Sequence, residues 1–481
     1  MQYILTNVEP KAPLRYFEDI SAIPRGSHDE KAVSQYLLDF AKEHGLTAKR
    51  DELWNVLITK PGQHGGESAP PLALQGHTDM VCEKEADSAH DFSRDPLKLI
   101  LENGRLRAGG TTLGADNGTA VVIMLALLAD KDLPHPPLEC LFTSQEETGL
   151  GGAAAIDPEW ITARRMINMD CGPEGEVTVG CSGGLRTLVT RNYTPVPVKG
   201  QAYAIRLMGL TGGHSGGLIH RFQANANKLL GRAYAELRKI GVGLVSIRGG
   251  AKDNAIPHEG LLVVSVTPDI ESRFLAAVDS LRERFQEEYK ETDPGLTLDV
   301  SKTDAASQLD EESAEAVMNI ILFHPNGVKH ISEKLDIVVT SLNLGVVTTE
   351  DSAVTMSAAV RSSTQSQKQA LANKIERLSK LCGAQYSQGN SYPGWAYDET
   401  SALRDRAQRV YEGLTGKRMI ERATHGGLEC GLFKGKWPEL DVIAIGCDTT
   451  GIHSPKESLD LASFARVYEF VRALAADLAR G

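Results

Sequence analysis

The chain has 481 residues, 41% hydrophobic and 24% charged, with 46 glycines and 21 prolines, which excludes collagen-like, low-complexity and wholly disordered classes. Its 63 acidic against 51 basic residues leave a formal net charge of -12, a field that repels phosphate backbones and anionic lipid. Neither nucleic acid nor a membrane surface is therefore an expected partner.

At roughly 150 residues per domain the length predicts two or three domains. The seven cysteines (Cys82, Cys140, Cys171, Cys181, Cys382, Cys430 and Cys447) are widely spread and form no C-x-x-C pair. That spacing argues against a disulfide framework and for a reducing, cytoplasmic compartment. The stretch Met1-Gln2-Tyr3-Ile4-Leu5-Thr6-Asn7, followed by Glu9 and Lys11, lacks the apolar segment of a secretion signal. The longest apolar run, residues 120–129, falls well short of the ~20 residues needed to span a bilayer.

Leu14, Phe17 and Ile20 have helical spacing. A second helix is expected to begin at Ser27, with Glu30 completing a capping box, Val33, Tyr36, Leu37 and Phe40 as its apolar stripe, and Gly45 as its end. Short apolar runs at 56–58, 72–74, 138–143 and 166–169 read as strands, and residues 119–129, apolar nearly all round, as a helix buried against them. The alternation predicts an α/β domain with a mixed central sheet flanked by helices. Past residues 180–184 the texture becomes α+β: strand 204–210, helix 224–239, strand 261–266 and helix 274–289, then a second set over 314–323, 336–347, 353–360 and 368–381. Asn254-Ala255-Ile256-Pro257 leads into one strand and Asn343-Leu344-Gly345-Val346-Val347, a few residues on, into another, a weak internal repeat that leaves open whether this region is two tandem units. After residue 393 the α/β texture returns. It closes in an amphipathic helix carrying Phe464, Val467, Tyr468, Val471, Leu474 and Leu478.

Five segments place metal-friendly side chains after strand-like runs: those holding His77 and Asp79, Asp116, Glu146 and Glu147, Asp170, and His453. Open α/β sheets bind ligands just beyond the carboxyl ends of their strands, so these distant residues can converge. Singly each has a plain alternative: an exposed imidazole, a solvated Glu-Glu pair, an Asp-Asn-Gly turn. Together, two imidazoles and three carboxylates are the ligand set of two divalent ions sharing one carboxylate. Asp79, two residues from His77, is placed to accept the other ring N–H of that histidine. Gly149-Leu150-Gly151-Gly152 lacks the spacing of a dinucleotide fingerprint.

The order His-x-Asp, Asp-Asn, Glu-Glu, Asp, His resembles the di-zinc exopeptidase family that includes carboxypeptidase G, peptidase T and carnosinase. Residues 75–82 (QGHTDMVC), 169–176 (MDCGPEGE) and 424–431 (THGGLECG) are similar to its aminoacyl-histidine (Xaa-His) dipeptidase branch, and the similarity runs over essentially the whole chain. The resemblance implies a catalytic domain over 1–183 and 394–481 and an inserted α+β lid over 184–393. It implies that Asp116 bridges two zinc ions (cobalt or manganese being alternatives), with His77 and Asp170 completing one position and Glu147 and His453 the other. Glu146 would be the general base acting on a hydroxide shared by the ions, Asp79 would orient His77, and the Asp116–Asn117 peptide would be cis.

Within the lid, His214 would assist at the oxyanion within its own subunit, Asn254 would open the matching Asn-x-Ile-Pro, and Arg361 would hold the substrate carboxylate. Glu429 either receives the substrate amine or is an exposed structural residue. The implied activity is hydrolysis of unblocked dipeptides with a C-terminal histidine by a cytoplasmic homodimer. Alternatives are a tripeptidase, an N-acyl amino acid deacylase, or a serine hydrolase using Ser215, whose Gly213-His214-Ser215-Gly216-Gly217 context has the Gly-x-Ser-x-Gly pattern.

Overall fold

Residues 3–481 are described by the computed structural model; Met1 and Gln2, which open the N-terminal stretch discussed above, lie outside the described residues. The chain divides into two units. The first runs up to Gly180 and resumes over Ala396–Ala423 and Leu428–Gly481; the second comprises Cys181–Trp395 and Thr424–Gly427.

The first unit is organised by a mixed eight-stranded sheet. Its order is Thr47–Arg50, Val56–Lys60, Leu138–Thr143, Leu72–His77, Arg165–Asn168, Asp441–Ala444, Glu176–Cys181 and Ile420–Thr424. The four central strands from Leu138–Thr143 to Asp441–Ala444 are mutually parallel. Leu72–His77 and Leu138–Thr143 are buried at every position, as parallel strands covered on both faces must be. The helix Ala115–Ala129 crosses beside them. Gly76 admits it, because a Cβ there would collide with the Asn117 side chain and Ala120. Leu14, Phe17 and Ile20 of the helix Lys11–Ser21 are fully buried, and the last two meet the same helix at Gly118. The final helix, Leu461–Leu478, buries all six of its expected apolar positions.

The helix expected from Ser27 starts later, spanning Lys31–Glu43 with no side-chain cap. Ser27 and Glu30 have other partners. The Ser27 hydroxyl donates to Asp79, and the Glu30 carboxylate accepts from the amides of His28 and Gln145.

The second unit holds an antiparallel sheet of nine strands. Eight form a continuous order: Thr297–Thr303, Gln201–Met208, Gly260–Val266, Gly243–Gly249, Ile337–Thr349, Ala353–Ser362, Gly183–Asn192 and Gln385–Tyr392; Gly327–Ser332 also pairs with Ile337–Thr349. The two α+β sets therefore share one sheet, joined where Gly249 pairs with Val347. Helices Ala226–Arg238, Glu271–Glu288, Glu311–Phe323 and Gln365–Leu381 contribute to one buried cluster with strands of both halves. The segment 343–347 lies inside Ile337–Thr349, where the register shifts at Gly345, and leads a few residues on into the strand Ala353–Ser362, as expected. A side chain at Gly345 would strike the Asp253 backbone, and Asn343 donates to the carbonyls of Asp253 and Ala255, so the two repeat motifs touch each other.

Among the described residues no disulfide joins any of the seven cysteines. Among the described residues no helix is long and apolar enough to cross a membrane.

Candidate functional site

Three neighbouring parallel strands end in, or run directly into, the acidic and histidine residues of the first unit. His77 is the last residue of its strand, Asp170 follows Arg165–Asn168 by two residues, and Glu146 and Glu147 follow Leu138–Thr143 by three and four. Asp116 sits at the start of the helix Ala115–Ala129, where its backbone departs from helical geometry and the Asp116–Asn117 peptide is cis. The Asn117 side chain anchors that turn by donating to the Met169 carbonyl at 2.7 Å. His453 comes from a loop after the fourth parallel strand, with a positive φ of 61°.

These side chains converge. The Asp116 carboxylate lies between the two imidazoles, with Oδ1 at 3.1 Å from His77 Nε2 and Oδ2 at 3.2 Å from His453 Nε2. His77 Nε2 is also 3.5 Å from Asp170, and His453 Nε2 is 2.9 Å from Glu147. Ligand atoms of His77, Asp116 and Asp170 lie within 4.8 Å of one another, as do those of Asp116, Glu147 and His453, and those of His77, Glu146 and Glu147. A cavity of about 350 Å³ opens alongside, lined by Asp116, Met169, Asp170, Pro173, Cys447 and Ile452.

Asp79 is fully buried and acts on more than His77. Its backbone carbonyl is 3.1 Å from His77 Nδ1 and its carboxylate 3.4 Å. The carboxylate also accepts from the Ser27 hydroxyl (2.8 Å) and from the amides of Glu146 (3.1 Å) and Glu147 (3.2 Å). One anion thus fixes the imidazole and the Glu-Glu segment together.

Such a density of charge shifts several proton equilibria. Burial alone would lower the His77 pKa, but Asp170, Asp116 and Asp79 more than reverse this and hold it well above 6.5. Hydrogen bonds that His453 donates to Asp116 and Glu147 raise it to about 10. Burial opposes ionisation of Asp116, yet the two histidines keep it far below the usual carboxylate range. Burial raises Asp170 to about 7, and it lifts Glu146 well above 4.5, reinforced by Asp170, Glu429 and Glu147.

Glu429 is not exposed: its relative accessibility is 0%. It accepts from Gln75 Nε2 at 2.5 Å and from the Thr143 hydroxyl at 2.9 Å, while its other oxygen is buried without a hydrogen-bond partner. Burial raises it to about 8. Gln75 continues the row by accepting from Asn168, whose side chain accepts from the Asp170 amide. A polar layer thus underlies the site across three strands. Sequence reasoning named Glu429 but missed Thr143, Gln75 and Asn168 beside it, together with the buried charges Arg25 and Glu457. A polar residue at a position otherwise reading as buried strand, as at Gln75 and Asn168, was the available signal.

The remaining expected residues lie in the second unit, where they form their own cluster. Gly213 and His214 pair with Ile256 and Ala255, which brings the His214 and Asn254 motifs side by side. The glycine at 216 leaves room between His214 and Arg361, for a Cβ there would meet His214 Cε1 at 2.8 Å and Arg361 Cζ at 3.2 Å. The Arg361 Nε is buried without a partner. Burial, then Arg361, lowers the His214 pKa. His425, hydrogen-bonded to Ser182 and Ser341 at 2.7 Å each, is driven by burial to about 3 and stays neutral. Ser215 fails as a nucleophile: its hydroxyl is buried with no hydrogen-bond partner, whereas Ser catalysis needs a base within reach.

Residues 73–477 match the family described as Peptidase family M20/M25/M40. The chain is 36% identical over 476 residues to the cytosol non-specific dipeptidase of Escherichia coli (strain K12), covering 98% of each chain. Its fold superposes on the crystal structure of aminoacylhistidine dipeptidase from Vibrio alginolyticus with a TM-score of 0.92 at 33% identity, again over 98% of both chains. It also resembles aminopeptidase PepT from Bacillus cereus, with a TM-score of 0.58 at 16% identity over 97% and 98% of the two chains, which concerns the fold alone.

Proposed function

The chain belongs to peptidase family M20/M25/M40, and on that footing we propose that it is a two-metal dipeptidase of the cytoplasm acting on unblocked dipeptides, with preference for a C-terminal histidine. The observation that carries the metal reading is the Asp116 carboxylate, one oxygen facing each histidine and a further carboxylate beside each. Mixed imidazole and carboxylate donors at this spacing suit zinc, with cobalt or manganese as alternatives. His77, Asp116 and Asp170 would hold one ion, and Asp116, Glu147 and His453 the other. Bound there, the ions supply an acidified water near neutral pH and polarise the scissile carbonyl.

The chain's own residues do the rest. Burial among other acids raises the Glu146 pKa, which makes its carboxylate a stronger base, suited to take the proton of the attacking water and return it to the leaving amine. Asp79 holds the backbone of Glu146 and Glu147, so that one carboxylate reaches His453 while its neighbour stays free for proton transfer. In the second unit, the Arg361 guanidinium with its unpartnered Nε offers what the terminal carboxylate of a dipeptide requires, and His214 beside it is a neutral donor for a developing oxyanion. The similarity to an aminoacylhistidine dipeptidase supports the histidine preference. The 350 Å³ cavity matches a small peptide rather than a folded protein.

Hydrolysis of Ala-His, β-Ala-His, Ala-Ala and a tripeptide, each with and without chelator, tests the reading. Cleavage of Ala-His that stops on chelation and returns with zinc is expected. Chelator-insensitive cleavage would overturn the metal assignment, and equal turnover of all four peptides the substrate assignment.

A further inference from the structure

Two buried charges outside the ligand set close around a single residue, Gly114. The Glu457 carboxylate, 2% exposed, accepts three backbone amides: Leu113 N at 2.8 Å and Gly114 N at 3.0 Å on one oxygen, Asp116 N at 3.2 Å on the other. Arg25, also 2% exposed, donates from Nη2 to the Gly114 carbonyl at 2.6 Å and from Nη1 to the Thr78 carbonyl at 2.9 Å, with the Asp79 carbonyl at 3.5 Å. Gly114 is thus gripped by its N–H and its C=O at once. It is held in the left-handed region at φ 67°, and a Cβ there would collide with the Arg25 guanidinium.

The geometry points to Arg25 and Glu457 as positioning residues that lock the Gly114 backbone between them and so set where the Asp116 carboxylate lies between the two histidines. Each end of the clamp reaches a different ligand segment. Glu457 lies four residues after His453 and ties the loop of that histidine to the loop of Asp116. Arg25 ties the Asp116 loop to the segment leaving His77. Neither side chain is placed to touch a substrate or an ion. They act through backbone atoms, which carry no ambiguity of rotamer.

This inference rests on Asp116 being shared by two ions, so the test begins by counting zinc on the parent chain. Competition with a chromogenic chelator then gives the affinity of each position in Glu457→Gln, whose amide must present a donor to a backbone N–H. A partner that orients a ligand typically contributes 10–100-fold in affinity, and both positions are expected to weaken by about that factor together. A drop in kcat with KM little changed, and partial rescue by Glu457→Asp, should accompany it.

Arg25→Met/Glu457→Met, which removes both charges at once, guards against an unpaired charge unfolding the chain. Wild-type protein supplies a measurement that needs no variant: in the metal-free chain the Gly114 and Asp116 amides are expected to exchange slowly, since their acceptor is Glu457 and not an ion. Zinc affinity equal to the parent in a folded variant, weakening confined to one position, or fast exchange of those amides overturns the clamp. A parent chain that binds no zinc would instead overturn the metal reading itself.

Discussion

Loading the metal-free chain with two divalent ions at pH 7 is expected to release about two protons. His453 is raised to about 10 by Asp116 and Glu147, and His77 lies well above 6.5 because its acidic neighbours outweigh its burial. Both imidazoles therefore carry a proton at neutral pH, and each must lose it before its Nε2 can serve as a ligand. Asp170, raised by burial to about 7, adds a fraction of a proton. The sign follows directly: protons on groups with raised pKa values are held below those values, so affinity climbs as pH rises towards them. One proton displaced per ion corresponds to roughly tenfold in affinity per pH unit, or about 10⁴-fold for the pair between pH 6 and 8. Calorimetric titration with zinc in buffers of different ionisation enthalpy counts the protons, and chelator competition across the same range gives the slope. A count near zero, or an affinity flat with pH, would refute the two histidines as ligands.

Glu146→Gln should lower kcat by about 10²–10⁴-fold while leaving zinc content intact, as steady-state kinetics and metal analysis would show; parallel loss of zinc would instead make Glu146 a ligand. Glu429→Gln addresses an acid raised by burial from 4.5 to about 8, which retains in the folded state a proton the unfolded chain has given up. Its contribution must therefore erode metal-free stability as pH rises from about 4.5 to 8, and urea unfolding at pH 5 and 8 should show the variant gaining on the parent at the higher pH. Arg361→Met removes a charged hydrogen-bond donor of the kind that contributes about 1.5–3 kcal/mol, so KM for a dipeptide should rise about 10- to 100-fold. Kinetics with kcat reduced and KM unchanged would exclude Arg361 from holding the substrate carboxylate.

The strand Leu138–Thr143 was readable to the residue because a short, mainly apolar run bounded by Pro137 and Ser144 has few other fates. The ligand-like residues were readable for a related reason: His77, Asp170 and the Glu-Glu pair each follow such a run, where an open sheet presents its binding edge. Ser27 shows the limit. Its S-x-x-E pattern is a genuine local cap signal, but Asp79, 52 residues away, competes for the hydroxyl and wins. Arg25 and Glu457 left no periodicity to find, because their partners are backbone atoms delivered by distant loops. Nor could spacing show that the two α+β sets share one sheet. That depends on a single edge pairing, Gly249 with Val347, between strands far apart in sequence.

The polar row beneath the site has a consequence for how the chain finds its native state. Thr143 pairs in register with His77, and Asn168 with Gln75, so the ladder of the sheet is the ruler that spaces the ligands. A slip of one residue in any of these strands would shift a ligand by about 3.3 Å and turn its side chain to the opposite face. Such a mispaired sheet could retain its helices and most of its apolar burial, yet the imidazoles and carboxylates would no longer face one another. On the proposed metal reading the ion would act as an inspector of strand pairing, and a misregistered molecule would betray itself first by failing to take up metal.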